Sequence, residues 1–158
     1  MLAPTRELAA QVAKSFETYG KHHKLTMALL IGGEAFGPQE AKLDRGVDVL
    51  VATPGRLLDH FERGRILLND VKILVIDEAD RMLDMGFMPD LKRILALIPK
   101  RRQSLLFSAT FSEPIRALAH DFLHDPVTVE VARRNQTNEN VRQVIMPVDD
   151  RRRRALLS

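Results

Sequence analysis

Apolar and polar positions along the chain alternate between a helical period and short unbroken apolar runs. Leu8, Val12, Phe16 and Tyr19 recur at helical spacing and predict a helix over 6–21. Leu25 to Ile31 is an apolar run of strand length, closed by the turn Gly32-Gly33, and Pro38 to Arg45 reads as a short helix. Val47 to Ala52 is a second strand, ending at Thr53-Pro54-Gly55, and a helix follows to about Arg63. Lys72 to Asp77 is a third strand. Met82 to Met88 is irregular or briefly helical, and Pro89 to Ile98 is an amphipathic helix with proline in its first turn. Ser104 to Phe107 is a strand, and a helix runs from Ser112 or Glu113 to Leu123 with Ser112 as its cap. Val127 to Val131 reads as a final strand. Strands alternating with helices predict an α/β fold with a doubly wound parallel sheet.

Beyond these elements the pattern changes. Arg133 to Asn140 is polar and aperiodic, as a linker is. Val141 to Val148 alternates like a new strand, and Asp150 to Leu157 starts a helix. The reading is therefore a partial domain over 1–132, a linker over 133–140, and the opening of a second domain over 141–158. Met1-Leu2-Ala3-Pro4 reads as the last residues of a strand, so both ends suggest a fragment.

Composition narrows the class. With 45% hydrophobic and 28% charged residues the chain is globular in character. It has no cysteine, hence no disulfide or thiolate metal site, which suits a cytoplasmic setting. No apolar run approaches the roughly 20 residues of a membrane span, and nothing implies an oligomer. The net charge of +3 is unevenly placed. Residues 133–158 hold seven Arg and three acids, whereas the remainder holds 17 basic and 18 acidic residues. A case for nucleic-acid binding by the main body must therefore rest on local motifs. Tyr19 is the only tyrosine and tryptophan is absent, so extensive base stacking is not expected.

The motifs gather at strand ends. The run Lys72-Ile73-Leu74-Val75-Ile76 stops at Asp77-Glu78-Ala79-Asp80. Ligands of open α/β sheets collect outside the carboxyl ends of strands, and two acids there suit Mg²⁺ binding and water activation. The plain alternative is a helix N-terminus, where acids are favoured by the macrodipole. Ser108-Ala109-Thr110 follows the next strand and can offer hydroxyls to Asp80. Thr53-Pro54-Gly55-Arg56, Pro4-Thr5-Arg6 and Gly32-Gly33 follow other strands. Gly55 permits close backbone approach, Arg56 can engage a phosphate, and Thr5 can cap a helix start whose amides face a ligand. In one parallel sheet all these loops share an edge, which suits a phosphate backbone held without reading bases. The histidines His22, His23, His60, His120 and His124 read as surface or helix-end residues, and Arg151 to Arg154 as a solvated helix start.

Together these residues resemble a DEAD-box RNA helicase, whose namesake is Asp77-Glu78-Ala79-Asp80. Pro4-Thr5-Arg6-Glu7-Leu8-Ala9, Gly32-Gly33, Thr53-Pro54-Gly55-Arg56 and Ser108-Ala109-Thr110 match further motifs in order. Asp80 to Phe87 matches as well, and the flavour is bacterial, RhlE-like. The resemblance implies a RecA-like first domain with ATP and Mg²⁺ as cofactors and RNA as partner. It implies that Asp77 binds Mg²⁺ through water, Glu78 activates the hydrolytic water, and Asp80 pairs with Ser108 and Thr110 as a coupling element. It further implies that Pro4, Thr5, Arg6, Gly32, Gly33, Thr53, Pro54, Gly55 and Arg56 lie on the RNA backbone, with a second helicase domain completing the site.

The chain departs from that pattern in containing no Gly-x-Gly-Lys-Thr phosphate loop. Since that loop carries most of the grip on the β- and γ-phosphates, little ATPase or unwinding is expected of this polypeptide. The family's phosphate-loop strand is expected against the strand ending in Asp77, so its absence predicts a gap or open apolar edge there and marginal stability. Two other readings compete: an ATP-independent RNA- or partner-binding module, and a Mg²⁺-dependent phosphohydrolase using Asp77 and Asp80.

Overall fold

In a computed structural model of the chain the described residues are 1–131. They form one compact unit over Met1–Asp125, and residues 126–131 lie outside it. The linker, strand and helix expected over 133–158, including Arg151 to Arg154, lie outside the described residues.

Helix α1 (Arg6–Tyr19) leads to strand β1 (Met27–Leu30), α2 (Phe36–Asp44), β2 (Val49–Ala52) and α3 (Pro54–Glu62). Strand β3 (Ile73–Ile76), α4 (Ala79–Asp84), α5 (Met88–Leu97), β4 (Gln103–Leu106) and α6 (Glu113–Phe122) follow. The expected order therefore stands, with ends moved by a few residues. The stretch read as irregular is helical from Ala79, earlier than its sequence pattern begins. Ser112 occupies the N-cap of α6, but its side chain makes no capping bond.

All strand pairing is parallel: β1 with β2, and β3 with β4. The residues before α1 join the two ladders. Leu2 bridges Ala52 on one side and Ile76 on the other. Its N–H donates to Val75 O at 2.8 Å and its carbonyl accepts from Asp77 N at 3.0 Å. Ala52 N–H donates to Met1 O, and Ala3 N–H to Ala52 O, each at 3.0 Å. The sheet order is thus β1, β2, residues 1–3, β3, β4.

This arrangement corrects the expectation of a gap beside the Asp77 strand. Both sides of β3 are filled, by Leu2 and by β4. The open edges among the described strands are β1 and β4. The backbone of residues 1–3 supplies the bonds the gap would have left unmade.

Alternation within the strands builds two apolar layers. Val49, Val51, Met27, Leu29 and Ala3 pack with Ala9, Leu8 and Val12 of α1. Ala28, Leu30, Leu2, Ala52, Leu74 and Ile76 face the other way. There they meet Leu57 and Leu58 of α3, Met82 of α4, Leu91 and Ile94 of α5, and Ile115, Leu118 and Phe122 of α6. Each such side chain stabilises the fold by about 1.5–3 kcal/mol when removed from water. On the α1 side, cover ends with residues 1–3: Ile73 at the start of β3 and Phe107 just after β4 are both exposed.

The strand expected over Val127 to Val131 does not form. Residues 126–131 have no regular structure, and Val127, Val129 and Val131 are exposed. Alternating valines suit a strand, but a strand needs a ladder partner, and no described strand pairs with them. No helix among the described residues is long and apolar enough to cross a membrane.

Candidate functional site

Because every strand runs the same way, the loops after residue 3, β1, β2, β3 and β4 emerge at one sheet edge. The sequence-predicted residues are all there, and they fall into two groups.

The first group surrounds residues 4–6, 31–39 and 53–63. Thr5 caps α1, its Oγ1 accepting from Leu8 N at 3.2 Å, which leaves Arg6 exposed on the first turn. Gly33 has φ +77°, and a Cβ there would meet Arg6 Nη1 at 2.5 Å. Glycine is called for by the left-handed backbone, and the Arg6 guanidinium, the far end of a flexible side chain, lies against it. Gly32 and Gly55 are different, since a Cβ at either meets nothing within 4 Å. Pro54 is buried at the first turn of α3, and Thr53 precedes it in extended conformation without a side-chain cap bond. Thr53 N–H donates to Leu30 O at 3.1 Å, which ties the two loop starts together.

Sequence reasoning missed three residues in this group. His60, read as a surface or helix-end residue, lies in the last turn of α3 but is fully buried. Its Nε2 sits 2.8 Å from Oε1 of Gln39, which is buried too. Gln39 Nε2 donates to Ile31 O at 3.0 Å, just ahead of Gly32. The Phe36 ring meets the His60 ring edge-on at 5.1 Å, and Arg56 Cζ lies 4.0 Å from its centroid. Burial, then the charge of Arg56, pushes the His60 pKa below 6.5. The available signal was spacing. His60 follows Leu57 by three and Arg56 by four residues, so it shares their helix face.

The second group holds the acids. Asp77 directly follows β3, and its Oδ1 accepts from Glu78 N at 2.9 Å. Glu78 takes a left-handed conformation, φ 47° and ψ 52°, unusual for a residue with a side chain. The chain turns sharply there so that Ala79 N–H can donate to Phe107 O at 2.9 Å. Glu78 Oε2 is buried without a hydrogen bond, 3.5 Å from Arg81 Nη1. Asp80 lies in the first turn of α4, as the helix-start reading anticipated. Its Oδ2 accepts from Thr110 Oγ1 at 3.3 Å, long for a hydroxyl donor. Ser108 does not join that bond. Its Oγ is buried and has no hydrogen-bond partner.

A Mg²⁺ site can be tested on this donor set. Among the described residues no group of three or more His, Cys, Asp or Glu could cage a metal. Mg²⁺ prefers one or two carboxylates plus waters and substrate phosphates. Asp77 at an open strand end suits that mode, with the nucleotide bringing the remaining oxygens.

Comparison with known proteins agrees with this layout. The DEAD/DEAH box helicase family model matches residues 1–118. The chain belongs to the DEAD/DEAH box helicase family. It is 41% identical over its full length to proteins named ATP-dependent RNA helicase RhlB from Shewanella oneidensis and Shewanella baltica. The chain spans 37% of the length of these relatives. A crystal structure titled as a hypothetical ATP-dependent RNA helicase from Sulfolobus tokodaii superposes with a TM-score of 0.74. That match has 43% identity and covers 78% of this chain and 37% of the other. The fold is thus the RecA-like α/β sheet of RNA helicases. The RhlE-like branch expected from the sequence finds no support in relatives that bear the name RhlB.

Proposed function

We propose that this chain is the part of an ATP-dependent RNA helicase that grips the RNA sugar-phosphate backbone and carries the acids of the nucleotide site. One observation supports this above others. Arg6, Gly33 and Arg56 share a single sheet edge with Asp77, Glu78 and Asp80. Anion-holding groups and acids so disposed can serve one phosphate-rich site. The family membership and the names of the relatives point the same way.

In this reading Thr5, Arg6, Gly32, Gly33, Thr53, Pro54, Gly55 and Arg56 hold phosphates and sugars without reading bases. The open space beside Gly32 and Gly55 lets a ribose or phosphate approach the backbone. Asp77 holds Mg²⁺ through water, and the ion, when bound, offsets charge on the phosphates. Glu78, whose Oε2 lies 3.5 Å from Arg81 Nη1 and accepts no hydrogen bond, takes a proton from the attacking water. Asp80, through Thr110 and with Ser108 available beside it, couples the acids to the loop after β4. A cytoplasmic setting and a second helicase domain as partner belong to the same proposal.

The test is fluorescence anisotropy of the chain with a short oligouridine and the matching oligodeoxythymidine. RNA should bind more tightly because ribose 2′-hydroxyls offer extra contacts. Arg6→Ala should weaken binding and reduce the salt slope by about 1. Equal affinity for both polymers, with no effect of Arg6→Ala, would sink the reading. Mg-ATP should be hydrolysed negligibly, because the sequence has no Gly-x-Gly-Lys-Thr loop. RNA-stimulated ATPase from the pure chain would overturn that part.

A further inference from the structure

Arg56 and Arg63 lie over the same aromatic ring, yet their surroundings differ. Arg56 Cζ is 4.0 Å and Arg63 Cζ 4.2 Å from the Phe36 centroid. Arg63 is already ion-paired: its Nε donates to Glu40 Oε1 at 3.0 Å, its Nη2 is also 3.0 Å from that oxygen, and Arg65 Nε approaches the same oxygen at 3.8 Å. Arg56 makes no ion pair among the described residues, and its buried Nη1 has no hydrogen-bond partner. A buried guanidinium nitrogen without an acceptor is costly unless an anion arrives from outside.

The ring itself is braced from below. Phe36 and Gln39 are three residues apart on α2, Arg56 and His60 are four apart on α3, and Arg63 follows three further on at the C-cap of α3. The two faces meet with Phe36 against His60 at 5.1 Å and Gln39 against His60 at 2.8 Å. Gln39 spends its amide nitrogen on Ile31 O at 3.0 Å and Glu34 Oε2 at 3.4 Å, so its oxygen accepts and His60 Nε2 carries the hydrogen. The Gly32-Gly33 loop, Phe36 and Arg56 are therefore linked through one buried polar pair.

We propose that Phe36 is a positioning residue that holds the Arg56 guanidinium at the RNA backbone while leaving its charge free for a phosphate. This rests on the RNA reading above. A carboxylate could fix Arg56 as firmly, as Glu40 fixes Arg63, but would cancel the charge. An aromatic face attracts the cation through its quadrupole and adds no net charge. The second guanidinium on the ring is held by Glu40, an acid it shares with Arg65, and so is less free than Arg56 to turn to a phosphate.

The experiment is oligouridine binding by the chain carrying Phe36→Leu, Phe36→Tyr, Arg56→Ala and the Phe36→Leu/Arg56→Ala pair. Phe36→Leu should weaken binding about 2–5-fold, the scale of an exposed cation–π contact, and Phe36→Tyr should restore it. In the Arg56→Ala background Phe36→Leu should change nothing further. Equal weakening with and without Arg56 overturns the proposal, because such a loss comes from the fold alone. Binding that Arg56→Ala weakens and Phe36→Leu spares also overturns it and leaves the RNA reading standing. No binding by the unsubstituted chain, or no effect of Arg56→Ala, defeats the RNA contact of Arg56 and the proposal with it. If Phe36→Leu does not fold, a ring-fluorinated phenylalanine at 36 keeps the volume and weakens the quadrupole. It should give the same loss, and undiminished binding would be decisive against the proposal.

Discussion

The two halves of the sheet edge are built to different degrees of completion. Around β1, β2 and α3 the loops are braced from inside, with Gln39 and His60 buried between helices and Phe36 beneath Arg56. Around β3 and β4 the functional side chains have little internal support. Thr110 reaches Asp80 at 3.3 Å, while Ser108 Oγ and Glu78 Oε2 lack hydrogen bonds. The half around β1, β2 and α3 is thus tied together by a buried side-chain hydrogen bond and ring contacts, and the half that carries the acids by the single long Thr110–Asp80 bond.

Substitutions can break this contrast in graded steps. The largest effect belongs to Leu2, which joins the halves and is 2% exposed. Leu2→Ala should cost about 3 kcal/mol, from lost transfer energy and the cavity left behind. Urea unfolding followed at both halves should show them losing stability together; separate transitions would mean that the halves are not coupled through residues 1–3.

Next comes the buried polar pair. Gln39→Leu leaves the His60 N–H unsatisfied and should cost about 1–3 kcal/mol, whereas Gln39→Leu with His60→Leu should recover most of that. The same pair gives a pH signature. The His60 pKa is lowered on folding, so the unfolded chain binds the proton more readily. Its contribution to stability is therefore full above 6.5 and falls as pH drops below that value. Thermal melts across this range should lose that slope in the double variant.

On the acid side the effects shrink or change sign. Glu78→Gly removes a side chain from left-handed backbone and should stabilise the chain by about 1 kcal/mol, while removing the proposed water-activating group. A lower melting temperature would show that the Glu78 side chain supports the fold. Thr110→Val breaks a single exposed hydrogen bond and should shift stability by less than about 0.5 kcal/mol. A large loss there would erase the distinction between the halves.

Much of this was legible in the chain. Apolar runs of strand length alternating with helical spacing gave the α/β order, because side-chain period follows backbone geometry directly. The motifs at strand ends were placed on one edge by the parallel sheet alone. The strand expected over Val127 to Val131 failed because alternation records which side chains suit a ladder, and whether a partner strand exists is a separate matter. His60 was misjudged because a histidine on an apolar helix face looks the same whether it meets water or Gln39 across the helix pair.

What the local sequence determined is the set of elements and the chemistry at their ends, since both depend on residues near one another in the chain. Tertiary structure decided which strand lies beside which, and so that Leu2 fills the place between β2 and β3. It also decided that Arg63 has a carboxylate while Arg56 has only a ring. These outcomes turn on contacts between residues 20 to 74 positions apart, whose energies exist only once the sheet and helices have packed.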